Sequence, residues 1–336
     1  MTTRSDFTDL PNLAGERFGT AVIAANDEFF APKEGLIKPG APEWREGVYT
    51  ERGKWMDGWE TRRRREPGYD WAIIRLGLPG IVRGVVIDTS FYTGNYPERA
   101  SLDACDVKGM LGPESLISNE VDWWPLLAPV DLVGDALNEF AIDAAARTAT
   151  HVRLNIFPDG GVARLRVHGI VVPNERDFDG SREVDLAATE RGGFVISCSD
   201  MHYGDRQNLI LPGRSTHMGD GWETKRRRGP GHDWTIVRLA RRGTIARVEL
   251  DTDHYKGNAP GACMLEFCDA GVNEDASLFD VQSAQWRTLV AETPLQPHAR
   301  HVFNDVDSPA ATHVRLSIYP DGGVARLRVI GRVIRS

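Results

Sequence analysis

The stretch Asp251-Thr-Asp-His-Tyr-Lys-Gly-Asn258 puts carboxylates, an imidazole, an amine and an amide within a few residues of one another. That set can move a proton and grip a polar substrate. A histidine titrates near neutrality, so His254 is the leading acid–base candidate, with Asp251 the carboxylate expected to orient it. In extended chain those two residues face opposite ways, so their pairing requires a turn after Asp253; Gly257 and Asn258 supply the turn chemistry. Asn258 offers both a donor and an acceptor to a substrate. His232 is the reserve catalyst and Glu223 the third. The plainer alternative is an Asx-type turn with His254 filling a loop.

A second stretch, DGWETKRRRGPGHDW from Asp220, sets a run of cations between two tryptophans. It repeats DGWETRRRREPGYDW from Asp57, with twelve of fifteen positions identical. Strand alternation sorts the run into Arg63 and Arg65 on one face and Arg62 and Arg64 on the other. In the second copy Arg226 and Arg228 take the first face. Lys225 stands where the first copy has Arg62, an exchange that suits a solvated position better than a bidentate one. Arg63, Arg65, Arg226 and Arg228 are therefore the expected anion binders; the alternative is that they pair with Glu60, Asp70, Glu223 and Asp233. The first copy's DTSFYTGN supplies Asn95 as the counterpart of Asn258, but it has Phe91 in place of His254 and Tyr69 in place of His232. Titratable groups have gathered in the second copy, which is expected to carry the principal catalytic groups.

The repetition runs through the chain. THVRLNIFPDGGVARLRVHG from Thr150 returns as THVRLSIYPDGGVARLRVIG from Thr312, with seventeen of twenty positions identical. A period of this length means duplicated domains, expected at 1–172 and 173–336, which should superpose except for about ten extra residues in the first copy around Glu43 to Lys54. WAIIRLGLPG, VRGVVIDTSFY, HVRLNIFP and VARLRVHGIVV read as strands punctuated by Gly and Pro turns. ALNEFAIDAAAR is the one stretch that reads as a short helix. The expected fold is all-β, with two tandem jelly-roll β-sandwich domains.

A net charge of −8 over 336 residues argues against nucleic acid as partner. No apolar run is long enough for a membrane span, and four cysteines without CxxC spacing suit a reducing compartment, so a cytoplasmic protein is expected. For a divalent metal, His202, His254, Asp251 and Asp253 offer ligand types, but no HxxxH or HExxH spacing supports a site, and the cofactor stays undetermined. His151 and His313 read as strand histidines. P-loop, GxGxxG and GxSxG patterns are absent.

The paired DGWET(R/K)RRR stretches, the DTSFYTGN and DTDHYKGN loops and the doubled HVRL…PDGGVARLRV strongly resemble the allantoicase family over essentially the whole chain. The RLRV-x-G strand is more loosely similar to the last strand of discoidin or galactose-binding-like jelly rolls. The family resemblance implies a hydrolase of C–N bonds in linear amidines, cleaving allantoate to ureidoglycolate and urea in purine degradation. A homo-oligomer is the expected assembly. Allantoate carries one carboxylate and two ureido groups on a single carbon, which gives the arginines an anion to clamp and Asn95 and Asn258 a ureido edge to pair with. Two alternatives stand beside it: a non-enzymatic tandem ligand- or carbohydrate-binding module, and an enzyme of a neighbouring ureide step.

Overall fold

The computed structural model describes residues 6–118, 120–143, 145–178, 182–270, 285–304, 306 and 308–334. The chain divides into two units, Met1–Val172 and Pro173–Ser336. The first contains β1 (Ala21–Ala25), β2 (Tyr49–Thr50), β3 (Gly53–Lys54), β4 (Trp59–Glu60), β5 (Asp70–Asp88), β6 (Arg99–Cys105), β7 (Trp124–Asp131), β8 (Leu137–Ala141), β9 (Ala149–Phe157), β10 (Gly161–Val162) and β11 (Arg164–Val171). The second contains β12 (Val184–Asp185), β13 (Phe194–Cys198), β14 (Trp222–Glu223), β15 (Asp233–Asp251), β16 (Ala262–Cys268), β17 (Arg287–Pro294), β18 (Arg300–Asn304), β19 (Ala311–Tyr319), β20 (Gly323–Val324) and β21 (Arg326–Val333). Every pairing is antiparallel, as the strand pattern predicts; no helix among the described residues is long and apolar enough to cross a membrane.

One strand organises each unit. Asp70–Arg75 of β5 pairs with β9, while Gly80–Asp88 pairs with β11 and Gly84–Asp88 with β8. The strand thus leaves one layer and enters the other at the LGLPG segment. A side chain at Gly80 would come within 2.6 Å of the Ile170 carbonyl, so the corner needs glycine to let the two backbones approach. In the second unit β15 does the same, pairing first with β19 and then with β21 and β18. The inward residues of both layers form each core: Ile74, Val85, Ile87, Leu102, Leu154 and Leu165 in the first, and Val237, Val248, Leu250, Leu265, Leu316 and Leu327 in the second. Alternation between this apolar side and a polar outer side is what makes these sequences strands.

The short helix expected in ALNEFAIDAAAR is not formed. Leu137–Ala141 is β8, which hydrogen-bonds along the second half of β5. Asn138 explains the preference: its side chain accepts from the Val133 N–H and donates to the Ile87 and Val133 carbonyls, tying the segment to β5 as a strand. Of the rest of the stretch, Ala144 lies outside the described residues. The α-helix of the described chain is Pro113–Ile117, started by a proline in its first turn.

Candidate active site

Each unit builds a loop cluster at one end of its sandwich from equivalent parts. Trp59 and Trp222 are fully buried, and their indole N–H groups donate to the carbonyls of Asp27 and Asp200 at 2.8 Å. This pins the loop that precedes β4 or β14. Buried Arg164 grips Asp57 at 2.5 Å and buried Arg326 grips Asp220 at 3.1 Å, fixing the turn into the Gly-Trp-Glu segment. Burial opposes ionisation of Asp57, but hydrogen bonds from Arg164, Lys38 and the Glu43 N–H outweigh it, and its pKa falls to about 2. So anchored, Glu60 and Glu223 meet the Gly-Asn loops. The Asn95 amide donates to Glu60 Oε1 at 2.7 Å, and that of Asn258 donates to Glu223 Oε1 at 2.5 Å. Burial pushes the pKa of Glu60 above the ordinary carboxylate value, with the Asn95 hydrogen bond pulling the other way.

The arginine run is not a strand beyond β4 and β14. It lies against the Pro-Asp-Gly-Gly turn, where the backbone N–H groups of Arg64 and Arg227 donate to Asp159 and Asp321 at 2.8 Å. The alternation nonetheless separates paired from unpaired cations. Arg64 bridges Asp70, Arg227 bridges Asp233, and Arg62 and Lys225 face Asp27 and Asp200. Arg63, Arg65, Arg226 and Arg228 are exposed and engage no carboxylate among the described residues. Lysine at 225 keeps the Coulomb partner that Arg62 has, so the exchange is tolerated for a reason other than free solvation.

His254 and its counterpart Phe91 share a backbone conformation that sequence reasoning missed, with φ of 70° and 69°. Bulky residues seldom adopt that left-handed region, and here a partner loop holds them in it. The Phe91 N–H donates to Asp135 Oδ1 at 2.7 Å, and the His254 N–H donates to His298 Nδ1 at 2.9 Å. His254 Nε2 lies 3.0 Å from the Ser215 carbonyl, which can only accept, so Nε2 is the donor, and in the neutral ring Nδ1 is the lone pair. Asp251 does not orient this ring. Its Oδ1 accepts the Asp253 N–H at 2.8 Å in an Asx-type turn, and the nearer carboxylate is Asp253, 3.9 Å from Nε2.

Asp253 in turn bonds Arg214 at 2.7 Å and lies 2.9 Å from His298 Nδ1. Burial works against its ionisation; Arg214, His254 and His298 outweigh burial and hold its pKa below the usual carboxylate value. One nitrogen of His298 cannot serve both neighbours at once. As a lone pair it accepts the His254 N–H, and as an N–H it donates to Asp253. His298 was readable only by aligning it with Asp135 across a poorly matched hairpin.

His232 is placed elsewhere. It stacks on Tyr319 at 4.7 Å and lines a separate cavity of about 260 Å³ with Trp234, Met264, Glu266 and Arg315. His202 meets the Tyr203 ring edge to face, with centroids 4.5 Å apart. Among the described residues, no three His, Cys, Asp or Glu side chains are arranged to hold a metal ion. His151 and His313 are buried strand histidines beside the Thr150 and Thr312 hydroxyls, at 3.0 and 2.9 Å.

The first unit adds what the second lacks. In each, the buried aspartate accepts a backbone N–H that closes the loop before it: Glu43 to Asp57, fourteen residues apart, and Thr216 to Asp220, four apart. The additional segment includes the β2–β3 hairpin, which Arg52 fastens by donating to the Phe29 carbonyl at 3.1 Å. The hairpin shields Phe30, which is 37% exposed, whereas its counterpart Tyr203 is 64% exposed. Trp44 and Lys54 of the additional segment also wall one side of a cavity of about 510 Å³ whose lining includes Glu60, Phe91, Asn95 and Asp135.

Comparison with known proteins gives these loop clusters a family. The allantoicase repeat model matches residues 11–172 and again 184–334. A probable allantoicase of Photobacterium profundum is 46% identical over 330 residues, covering 97% of both chains. One of Stutzerimonas stutzeri is 46% identical over 333 residues, covering 98% of both. The crystal structure of allantoicase from Saccharomyces cerevisiae is similar at a TM-score of 0.80 with 35% identity, over 96% of this chain and 92% of that one. With both sandwiches matched in order and relatives this similar along nearly its full length, the chain belongs to the allantoicase family.

Proposed function

We propose that the second repeat performs the chemical step, with His254 as base and Glu223 as acid. The reaction itself is the hydrolysis of allantoate to ureidoglycolate and urea, a step of purine degradation. Water must lose a proton as its oxygen bonds the central carbon, and the departing ureido nitrogen must gain one before urea leaves neutral. The observation that carries the proposal is the 3.0 Å contact of His254 Nε2 with the Ser215 carbonyl: an acceptor there commits Nε2–H, so in the neutral ring Nδ1 is the nitrogen able to accept water's proton. Glu223 belongs to the same loop cluster through Asn258, whose carbonyl oxygen remains for a ureido N–H. Arg226 and Arg228 stand as the carboxylate clamp, with Arg63, Arg65 and Asn95 their first-repeat counterparts. Asp251 supports this arrangement through the Asp253 backbone, and His232 lies outside it. No observation favours a non-enzymatic binding module or a neighbouring ureide step.

The same reading places the enzyme in the cytoplasm, with a small-molecule substrate, no nucleic-acid partner and a homo-oligomeric assembly. All four cysteines are free, and burial pushes the Cys105 and Cys263 thiols up to about 12, which suits unreactive thiols in a reducing medium. Light scattering of the purified protein reads the assembly. The test of the site is His254→Phe, which installs the first repeat's own residue on the same backbone, assayed by urea release from allantoate. A folded variant with wild-type turnover overturns the assignment.

A further inference from the structure

We infer that the second repeat's separate cavity, on the outer face of its sheet, binds one neutral planar ring whose edge carries adjacent N–H and C=O groups, as a lactam does. Glu266 accepts from the ring N–H, Arg315 donates to the carbonyl, and the Trp234 indole covers the ring face. Strand register builds this site. Across β15, β19 and β16, Trp234, Ser317 and Met264 form one row, and Ile236, Arg315 and Glu266 form the next. Val237, Leu316 and Leu265 alternate with them and point into the core, so both rows lie on the opposite face. All six residues line the cavity of about 260 Å³, room for a single ring. Arg315 Nε donates to Glu266 Oε2 at 2.7 Å, and the guanidinium lies over the Trp286 ring at 4.7 Å. Glu266 Oε1 and Arg315 Nη1 have no partner among the described residues. The ion pair thus cancels its own charge while offering one acceptor and one donor to the same small space, the complement of a lactam edge. Trp234, with His232 beside the Tyr319 ring at 4.7 Å, supplies flat walls. The first repeat fills the same rows with longer side chains. Asn155, in the place of Ser317, donates to Ser101 and Asp103 at 3.0 and 2.9 Å, and Arg99, in the place of Ala262, lies over the Phe157 ring at 5.9 Å.

The test titrates the full chain with 2-pyridone, a planar lactam, and with N-methyl-2-pyridone, which keeps the ring and carbonyl but lacks the N–H. The indole N–H resonance of Trp234, identified by its loss in Trp234→Phe, reports the cavity. 2-Pyridone should move that resonance saturably, and the N-methyl compound should bind about tenfold or more weakly, because Glu266 then faces no donor. Glu266→Gln, which keeps the shape and removes the charge, should weaken 2-pyridone about tenfold. Ser317→Asn installs the first repeat's own residue and should abolish the shift. His254 and Glu223 take no part in this cavity, so Ser317→Asn should release urea from allantoate at the wild-type rate. An unmoved Trp234 resonance, equal affinity for the two pyridones, or unchanged 2-pyridone binding in both Glu266→Gln and Ser317→Asn overturns the inference. Failure of the catalytic reading would show instead as wild-type turnover in His254→Phe, a result this resonance does not sense.

Discussion

At the loop end of the first repeat, Trp44, Phe91 and Phe30 wall a cavity around Glu60, whereas the second repeat surrounds Asp253 with His254, His298 and Arg214. The scaffold beneath is the same to the level of single hydrogen bonds: an indole on a loop carbonyl, an asparagine on a glutamate, a buried arginine on an aspartate. Duplication has therefore kept the supports and freed the residues they present. One copy has moved toward enclosure and the other toward titratable groups.

The sharpest way to break this contrast is to exchange one residue across it. His254→Phe should lower kcat for urea release by about 10²–10⁴, the usual effect of losing a general acid or base. Phe91→His should leave kcat within about twofold of wild type, since its loop carries neither Ser215 nor Arg214 to complete the site; steady-state assays of both variants decide. Next in size is an effect the repeats should share. Burial, aided by Arg75 and Arg238, lowers the pKa of His151 and His313 from 6.5 to about 4. An unfolded chain takes up these protons near pH 6.5 and the folded one resists until about 4. Stability is thus full above that window and falls as pH drops through it, by on the order of a few kcal/mol for the pair. Urea unfolding at pH 7 and pH 4.5 measures the loss, which His151→Gln and His313→Gln should each reduce.

Smaller effects sharpen the comparison at the arginines and the tyrosines. Arg226→Lys or Arg228→Lys should weaken substrate binding about tenfold or more, while Arg63→Lys and Arg65→Lys should leave KM unchanged if the second repeat alone turns over. Equal effects in both pairs would make the repeats equal partners. Finally, Tyr255 donates to the Met218 carbonyl at 2.6 Å, whereas the buried Tyr92 hydroxyl has no partner among the described residues. Tyr255→Phe should cost about 1–2 kcal/mol and Tyr92→Phe nothing or less, as read by thermal unfolding.

The all-β sandwich was readable because alternation along strands such as HVRLNIF and the Gly–Pro punctuation are local properties. That WAIIRLGLPG and the VRGVVID that follows lie on one nineteen-residue strand was not, since the LGLPG corner looks like an ending. At the site, the Gly-Asn loops and the sorting of the arginines followed from residue type and spacing. The partners of His254 did not. Ser215 and His298 lie 39 and 44 residues away, and they reach it only because residue 254 takes a left-handed backbone that nothing in DTDHYKGN announces. The ten additional residues were visible as a length difference, but what they wall depends on Arg52 folding the hairpin back onto the Phe29 carbonyl.

A strand that belongs to both layers has a mechanical consequence. With β5 and β15 each threaded through two sheets, neither repeat has a seam along which one sheet could peel from the other while its hydrogen bonds stay whole. Opening either layer pulls on the register of its neighbour, so each sandwich should open as one cooperative unit, with its slowest-exchanging amides along that shared strand. The loop ends lie beyond this ribbon and are insulated from it, which is why ten residues could be added at one of them without shifting a single strand pairing beneath.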